Sequence, residues 1–261
     1  MRIDLNGDVG ERPFGGSGNP DSALIPHLTS ANVACGFHAG DPGVMRETVV
    51  LAREHGVAVG AHPGFPDPEG FGRRELHFSP ADVEDFVSYQ VGALAGIAAA
   101  QGVRLQHVKP HGALFSMAAR DSVLADAIAR AAALIDRNLI LFGLPGSELV
   151  AAGKRAGLRI AAEGFADRAY RPDGTLVSRQ EEGAVLGDVS SVVRRVVRMV
   201  REGSVDAVDG TVVPLVVDTI CVHGDTPGSA DLAAHIRAAL TEAGIEVVAL
   251  GRNGARLAGR D

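Results

Sequence analysis

The stretch that decides the fold reads Ser-Ala-Asn-Val-Ala-Cys-Gly-Phe-His-Ala-Gly-Asp-Pro at residues 30–42. Its apolar run predicts a strand at residues 31–37, and the Gly, Asp and Pro that follow predict a turn. Residues 43–55 then have the apolar spacing of a helix, and residues 57–61 that of another strand. A strand, a helix and a second strand in this order are typical of a parallel sheet.

The same alternation continues along the chain in both directions. The predicted strands are residues 2–6, 31–37, 57–61, 105–109, 139–144, 158–163, 216–222 and 246–250, and the predicted helices are residues 43–55, 80–101, 122–136, 147–156, 189–202 and 229–243. A strand-helix unit repeated about seven times predicts an α/β fold with a parallel sheet, either closed as a barrel or open and doubly wound. Because no Pro/Ser-rich linker divides the chain, we expect one domain over residues 1–261.

Composition excludes several classes of protein. The 261 residues carry a formal net charge of −7 and are 4% aromatic, with no Trp, so the basic footprint of a nucleic-acid-binding protein is missing. The sequence has no signal-peptide pattern at its start and no apolar run long enough to cross a membrane. Cys35 and Cys221 lie far apart in apolar surroundings, as expected of buried, reduced thiols. These features predict a cytoplasmic protein with neither nucleic-acid nor membrane partners.

Nearly every predicted strand ends in a cluster of polar, Gly and Pro residues. Parallel α/β folds build their sites at the carboxyl ends of strands, so these clusters are expected to meet in one site. The predicted catalytic residues are Asp4, Asn6, Asp8, His38, His62, Lys109, His111 and His223. The predicted substrate-binding residues are Glu11, Asn32, Arg73, Glu163, Asp167, Arg168 and Asp225. We expect the remaining histidines outside strand ends, such as His27, His55, His77 and His235, to be structural.

Side-chain alternation predicts which face of each strand carries these groups. Residues two apart on a strand share a face, so Asp4 and Asn6 point one way while Ile3 and Leu5 point to the covering helices. The other strands alternate in the same manner. A typical (β/α)₈ barrel fills its interior with Val, Ile and Leu. The sequence therefore predicts an unusually polar cleft that opens at the strand ends.

The chemistry of the clusters points to amide hydrolysis. The sequence has no Walker A motif, no strand-associated G-x-G-x-x-G, no nucleophile elbow, no H-E-x-x-H and no C-x-x-C, which argues against P-loop NTPases, Rossmann oxidoreductases and serine hydrolases. What remains is a set of carboxylates, imidazoles and one Lys. Together they offer a base for water, a cation for the carbonyl oxygen and an acid for the leaving nitrogen.

Three further interpretations concern parts of this site. Asp8, His38 and His62 are candidate ligands of a divalent metal, because a carboxylate with two His is a frequent hydrolytic metal site. The run Gly-Phe-Gly-Arg-Arg at residues 70–74 is a candidate lid that brings Arg73 or Arg74 to an anionic group. The adjacent Asp167 and Arg168 are alternatively a paired loop element.

The motifs at the strand ends resemble those of the LamB/YcsF family, whose members form the A component of 5-oxoprolinase. The matching segments span nearly the whole chain, and they are residues 4–11, 30–42, 60–65, 70–74, 108–114, 163–168 and 220–226. Gly7 stands where the family pattern has Cys, and Phe65 and Phe115 stand where Tyr is usual. These departures remove one thiol and two hydroxyls from any mechanism that would need them.

The resemblance implies an activity, partners and a fold. The implied reaction is the ATP-dependent hydrolytic opening of 5-oxo-L-proline (pyroglutamate) to L-glutamate, with ATP as co-substrate and with 5-oxoprolinase subunits B and C as partners. The implied fold is a (β/α) barrel of about seven parallel strands, similar to the glycoside hydrolase/deacetylase fold. The sequence has no nucleotide-binding motif, so it does not decide which subunit binds ATP. Two alternatives are a metal-dependent, deacetylase-like amide hydrolase and a non-catalytic scaffold for the other subunits.

Overall fold

A computed structural model describes residues 1–12, 21–224 and 228–251 of the chain. The strands are β1 (Arg2–Val9), β2 (Ser30–Ala34), β3 (Ala58–His62), β4 (Leu105–Val108), β5 (Ile140–Gly143), β6 (Arg159–Phe165), β7 (Ser204–Asp206), β8 (Val212–Pro214), β9 (Thr219–His223) and β10 (Glu246–Val247). The α-helices are α1 (Asp21–Leu24), α2 (Pro42–Glu54), α3 (Pro80–Ala100), α4 (Gly112–Ala118), α5 (Ser122–Ile135), α6 (Glu148–Arg155), α7 (Val189–Glu202) and α8 (Ser229–Glu242). A short 3₁₀ helix, Ile25–His27, follows α1.

Seven parallel strands close into a barrel. Their order is β1-β2-β3-β4-β5-β6-β9, and β9 pairs back onto β1, with Asp4 beside Thr219 and Asp8 beside His223. The predicted barrel of about seven parallel strands is therefore confirmed. The short strand β10 pairs with the first residues of β1, below the point at which β2 takes over as its neighbour.

Helices between successive strands cover much of the outside of the barrel, and their ends follow local sequence signals. Asp41 caps α2 by accepting a hydrogen bond from the backbone N–H of Val44. Ser79 and Asp82 form a capping box at the start of α3, where Pro80 occupies the first turn. Beyond the end of α3, Gly102 has a φ of +72°, a value that residues with a Cβ rarely adopt. All six predicted helices are present.

Some predicted bounds and elements differ from the structure. The strand predicted at residues 31–37 ends at Ala34, because the chain turns there and the N–H of Gly36 donates to the carbonyl of Ala39. Strand β1 runs on to Val9, because it is paired on both sides by β2 and β9. The sequence patterns did not predict helix α4 or the antiparallel pair β7–β8.

The barrel interior changes character from one end to the other. A small apolar cluster fills part of the interior near the amino ends of the strands, and it contains Ile140, Phe142, Ala161 and Leu250. Above it, Asp4, Asn6 and Asp8 are buried on the inner face of β1, whereas Ile3 and Leu5 belong to the main apolar core. The predicted alternation and polar interior are thus confirmed. In the described part of the chain, no helix is long and apolar enough to span a membrane.

Candidate active site

The polar side chains converge at the carboxyl ends of the barrel strands. Strand β1 supplies Asp4, Asn6 and Asp8, and β2 supplies Asn32. The remaining groups are His62 at the end of β3, Lys109 and His111 after β4, Glu163 in β6 and His223 at the end of β9. All of these side chains are buried, and Glu11 and His38 approach from the loops that follow β1 and β2.

Lys109 occupies the centre of the barrel. Its Nζ donates to Oδ1 of Asp8 at 2.7 Å and lies 3.0 Å from Oε1 of Glu163, so two carboxylates flank one ammonium. The same Nζ lies 2.9 Å from Sγ of Cys221 and 3.4 Å from Oδ1 of Asn6. Because only 2% of the residue is exposed, this charge depends on its protein partners rather than on water.

The electrostatics of this cluster follow from burial and pairing. Burial alone would raise the pKa of Asp8, but His62 and Lys109 hold that pKa well below its usual value. Burial alone would lower the pKa of Lys109, yet Asp8 and Glu163 raise it well above its usual value. Burial also raises the pKa of Glu163 to about 7, because Lys109 offsets only part of the desolvation. Lys109 and Asp8 are therefore charged, and Glu163 exchanges a proton near neutral pH.

An amide network holds Asp8 in place. The Nδ2 of Asn32 donates to Oδ1 of Asp8 and to Oδ1 of Asn6, both at 2.7 Å. The Oδ1 of Asn32 lies 2.8 Å from Nε2 of His107, which must be the donor because an amide oxygen only accepts. Asn32 therefore orients the carboxylate of Asp8 from inside the barrel.

Asp4 lies one layer deeper than the other predicted catalytic residues. Its carboxylate accepts hydrogen bonds from the hydroxyls of Thr29, Ser30 and Thr219. Burial raises the pKa of Asp4, although these three hydrogen bonds oppose the shift. This arrangement ties β1 to β2 and β9 below the mouth of the barrel.

Three imidazoles and one carboxylate form a second cluster at the mouth. The rings of His38 and His111 are stacked, with centroids 3.7 Å apart. The Oε1 of Glu11 lies 2.9 Å from Nδ1 of His111, 3.2 Å from Nε2 of His38 and 3.6 Å from Nε2 of His62. The Nε2 of His62 is 3.5 Å from Oδ2 of Asp8, which joins this cluster to that of Lys109.

The segment at residues 66–74 packs against this cluster. The carbonyl of Phe71 accepts from Nε2 of His111 at 2.8 Å, and the guanidinium of Arg73 lies 4.8 Å from the centre of the Phe71 ring. Arg74 instead turns outward and forms an ion pair with Asp67, which also accepts from the N–H of Gly70. Arg74, one of the two candidate lid arginines, therefore stabilises residues 66–74 and does not point to the site.

Asp167 pairs with His223 and not with its neighbour Arg168. The Nδ1 of His223 donates to Oδ1 of Asp167 at 2.8 Å, and the ring stacks on Phe165. Burial alone would raise the pKa of Asp167, but His223 lowers it below its usual value. Arg168 is buried and donates to the carbonyls of Ala184 and Val177. The alternative of a paired Asp167–Arg168 element was wrong, because the two side chains face different parts of the structure.

Two groups of side chains have the spacing of metal ligands. In the first, Glu11, His38, His62 and His111 each offer one ligand atom, and these atoms all lie within 4.8 Å of one another. Asp8, Cys221 and His223 form the second group by the same measure. His38 and His62 were predicted to share a metal with Asp8, but the carboxylate that shares their group is Glu11. Asp225, predicted to bind substrate, lies outside the described residues.

Sequence reasoning missed several residues that shape the site. Cys221 was predicted to be a buried, reduced thiol and was not assigned to the site, although the alternation of its strand places it in the barrel. His107 faces inward by the same alternation but was not assigned to the site. No pattern in the sequence predicted the contacts of Asp67 with Arg74 and Gly70, because they depend on the path of a loop.

The chain is similar to known proteins over nearly its whole length. The model of the LamB/YcsF family matches residues 3–254. The A component of 5-oxoprolinase from Tolumonas auensis is 53% identical over 249 residues, which cover 95% of this chain and 99% of the relative. A protein of the same name from Bacillus subtilis (strain 168) is 52% identical over 250 residues, 96% of this chain and 97% of the relative.

Solved structures share the barrel. The lactam utilization protein from Thermus thermophilus superimposes with a TM-score of 0.89 at 47% identity, covering 96% of this chain and 100% of that one. A family 4 carbohydrate esterase from Streptomyces lividans superimposes with a TM-score of 0.51 at 12% identity, covering 100% and 98%. The second similarity concerns the fold alone. It confirms the expected likeness to deacetylase-type barrels.

Proposed function

Because this chain belongs to the LamB/YcsF family, we propose that it opens the lactam ring of 5-oxo-L-proline by hydrolysis, giving L-glutamate. The reaction is coupled to the cleavage of ATP to ADP and phosphate, and the chain works with two partner subunits, B and C. The name that the full-length relatives share, the A component of 5-oxoprolinase, supports this assignment. The buried, reduced state of Cys35 and Cys221 supports the cytoplasm as its location.

The observation that carries the proposal is the charged Lys109 at the centre of the polar barrel. A protein buries an ammonium between Asp8 and Glu163 only where the partners and geometry compensate its desolvation. Near the carboxyl ends of the barrel strands, that cation can stabilise negative charge that develops on a carbonyl or phosphoryl oxygen. Asp8, fixed by Asn32, keeps Lys109 protonated.

His223 is the group best placed to activate water. Its Nδ1–H is held by Asp167, so in the neutral ring the lone pair is on Nε2 and can accept a proton. The carboxylate of Asp167 fixes this tautomer and stabilises the imidazolium that forms. His223 removes a proton from the attacking water, and Lys109 stabilises the oxygen of the attacked carbonyl. The imidazolium of His223 then returns this proton to the ring nitrogen as the C–N bond breaks.

Coupling to ATP has a chemical reason. A five-membered lactam is a poor electrophile, and transfer of the γ-phosphoryl group of ATP to its amide oxygen, with ADP as the leaving group, makes the ring carbon reactive. Attack of water, cleavage of the C–N bond and release of phosphate from the resulting acyl phosphate by hydrolysis then give glutamate. The phosphorylated substrate is anionic, which suits a site that holds Lys109. We propose that the complex supplies this phosphorylation, since the present sequence carries no recognised nucleotide-binding motif.

The test is glutamate formation from 5-oxo-L-proline and ATP by the purified chain, with and without subunits B and C. Lys109→Met in the complete complex should reduce the rate by at least about 100-fold, because it removes the cation at the reacting oxygen. His62→Ala should also lower the rate strongly. Lys154→Met is the matched control, because Lys154 is exposed on α6 and far from the barrel interior. Wild-type rates for Lys109→Met would overturn the assignment.

A metal-dependent, deacetylase-like hydrolase is not favoured as an alternative function. The similarity to the carbohydrate esterase is at 12% identity, which supports the fold but not the reaction. An enzyme of that class would release glutamate without ATP, so the same assay with ATP omitted separates the two functions. A non-catalytic scaffold would leave the activity of the complex intact in Asp167→Asn, in which the side chain keeps its size and its hydrogen bond to His223.

A further inference from the structure

We propose that Glu11, His38, His62 and His111 bind one divalent transition-metal cation at the mouth of the barrel. The inference deepens the proposed function and rests on the same site. The four side chains come from four separate segments, which follow or end β1, β2, β3 and β4. Their ligand atoms nevertheless lie within 4.8 Å of one another. The fold has therefore brought them together from distant parts of the sequence.

Backbone carbonyls fix the tautomers of two of the histidines. The Nδ1 of His62 lies 2.7 Å from the carbonyl oxygen of Lys109, and Nε2 of His111 lies 2.8 Å from that of Phe71. A carbonyl oxygen only accepts, so each of these nitrogens must carry the hydrogen. In the neutral rings, the free lone pairs are then on Nε2 of His62 and Nδ1 of His111. These two atoms are 3.0 Å apart.

The carboxylate of Glu11 adds a third acceptor at the same point. Its Oε1 is 2.9 Å from Nδ1 of His111 and 3.6 Å from Nε2 of His62. Without a cation between them, three electron-rich atoms would face one another. In a tetrahedral zinc site with bonds of about 2.1 Å, neighbouring ligand atoms are about 3.4 Å apart. The observed separations of the three atoms, 2.9–3.6 Å, lie around that value.

A single metal ion can accept the lone pairs of all three atoms at once. His38 brings a fourth candidate ligand, because its ring stacks on that of His111 at 3.7 Å and its Nε2 lies 3.2 Å from Oε1 of Glu11. Histidine ligands of metals usually donate their other N–H to a carbonyl or carboxylate, as His62 and His111 do here. Imidazole and carboxylate together suit zinc and its first-row neighbours.

The segment at residues 66–74 is shaped to hold this arrangement. Phe71 adopts a φ of +52°, which is rare for a residue with a side chain, and its carbonyl fixes the ring of His111. The next residue, Gly72, lies so close that a Cβ there would be 2.8 Å from Cβ of His38 and 2.9 Å from Cδ2 of His111. The unusual backbone is therefore accounted for by the position of the two rings.

The position of the cation suits the hydrolytic reaction. The Nε2 of His62 is 3.5 Å from Oδ2 of Asp8, whose other oxygen holds Lys109. The Asp8 carboxylate thus lies between the proposed cation site and Lys109. A divalent cation held by these residues would supply a Lewis acid for a carbonyl or phosphoryl oxygen.

The test measures binding of the metal alone, without substrate. The full chain is stripped with a chelator and dialysed against Zn²⁺ or Mn²⁺ in separate experiments, and metal content is determined by elemental analysis. We expect one ion per chain for at least one of the two metals. Glu11→Gln and His62→Gln should bind that metal at least about tenfold more weakly, because each removes one ligand. Glu202→Gln and His235→Gln, two exposed positions, are the matched controls.

Circular dichroism checks that each variant is folded, and Glu11→Gln, which keeps the size of the side chain, decides the outcome if His62→Gln does not fold. Absence of bound metal in the wild-type chain would overturn the proposal, as would unchanged affinity in Glu11→Gln. The glutamate assay is separate. Metal binding without lactam hydrolysis would contradict only the proposed function, whereas lactam hydrolysis by a chain that binds neither metal would contradict only the cation site.

Discussion

Lys109 and Asp8 form a buried ion pair in the middle of the barrel, with Nζ 2.7 Å from Oδ1 and side chains that are 3% and 6% exposed. Glu163 approaches the same ammonium to 3.0 Å from another strand. The buried carboxylate of Asp8 is stable only while this cation is present, because a carboxylate left unpaired in the interior is costly. The pair therefore links the chemistry of the site to the stability of the barrel.

Replacing Lys109 by Met should destabilise the protein as well as inactivate it. The substitution leaves Asp8 and Glu163 buried without their cation, and removing one partner of a buried pair costs about 3–5 kcal/mol. Urea denaturation followed by circular dichroism would measure the loss. Lys154→Met should change the free energy of unfolding by less than about 0.5 kcal/mol, because Lys154 is exposed. Equal midpoints for the two variants would contradict this account of Lys109.

The Asp167–His223 pair makes a kinetic prediction. In Asp167→Asn the amide oxygen can still accept from Nδ1 of His223, but the negative charge that stabilises the imidazolium is lost. We expect kcat for glutamate formation to fall about 100-fold, with a much smaller change in KM, because the effect concerns proton transfer. Asp173→Asn, at an exposed turn in the following segment, is the control. A change in KM alone would indicate that Asp167 binds substrate instead.

The sequence was sufficient to predict the barrel and the inward-facing residues of its strands. Alternation placed Asp4, Asn6 and Asp8 on one face because a strand's period of two is a local property that the sequence displays directly. The positions of His62, Lys109, His111 and His223 at or just after strand ends predicted that these residues belong to the site. All four side chains lie at the carboxyl ends of the barrel strands.

Contacts that depend on loops could not be predicted in this way. Asp8 and Glu11 are three residues apart, and nothing local decides that Glu11 joins the histidines while Asp8 holds Lys109. Arg168 follows Asp167 directly, yet its side chain turns to the carbonyls of Val177 and Ala184 because the chain folds back there. Such partners are set by tertiary packing, for which a single sequence has no periodic signal.

Replacing Gly60 and replacing Gly92 by Ala should have opposite effects on the free energy of unfolding. A Cβ at Gly60 on β3 would fall within the ring of His107, which is itself stacked on Phe142 with ring centroids 4.3 Å apart. Gly60→Ala should therefore lower the free energy of unfolding by about 1–3 kcal/mol. Gly92 is exposed in α3 with no atom near its Cβ position, so Gly92→Ala should raise it by about 0.5–1 kcal/mol. Thermal denaturation of both variants would check the prediction, and a stable Gly60→Ala would contradict the packing described.

Glu163 should make stability depend on pH in a defined direction. Burial raises the pKa of this carboxyl from 4.5 to about 7 in the folded chain. Below pH 4.5 Glu163 is protonated in both the folded and the unfolded chain, so it does not change the free energy of unfolding. Above pH 7 Glu163 is ionised in both, and its ionisation is less favourable in the folded chain, where it is buried. The wild-type protein therefore loses stability relative to a variant without this group as the pH rises through that window. The shift corresponds to about 3 kcal/mol.

Glu163→Gln isolates this contribution, because Gln keeps the shape and cannot ionise. Urea denaturation of both proteins at several pH values measures this contribution. As the pH rises from 4.5, the pKa in the unfolded state, to about 7, the pKa in the folded state, the wild type should lose up to about 3 kcal/mol of unfolding free energy relative to Glu163→Gln. Glu181→Gln, at an exposed ion pair with Arg171, should give a curve parallel to wild type. Parallel curves for Glu163→Gln would mean that Glu163 stays ionised beside Lys109 throughout this range, and that the ion pair rather than burial controls its proton.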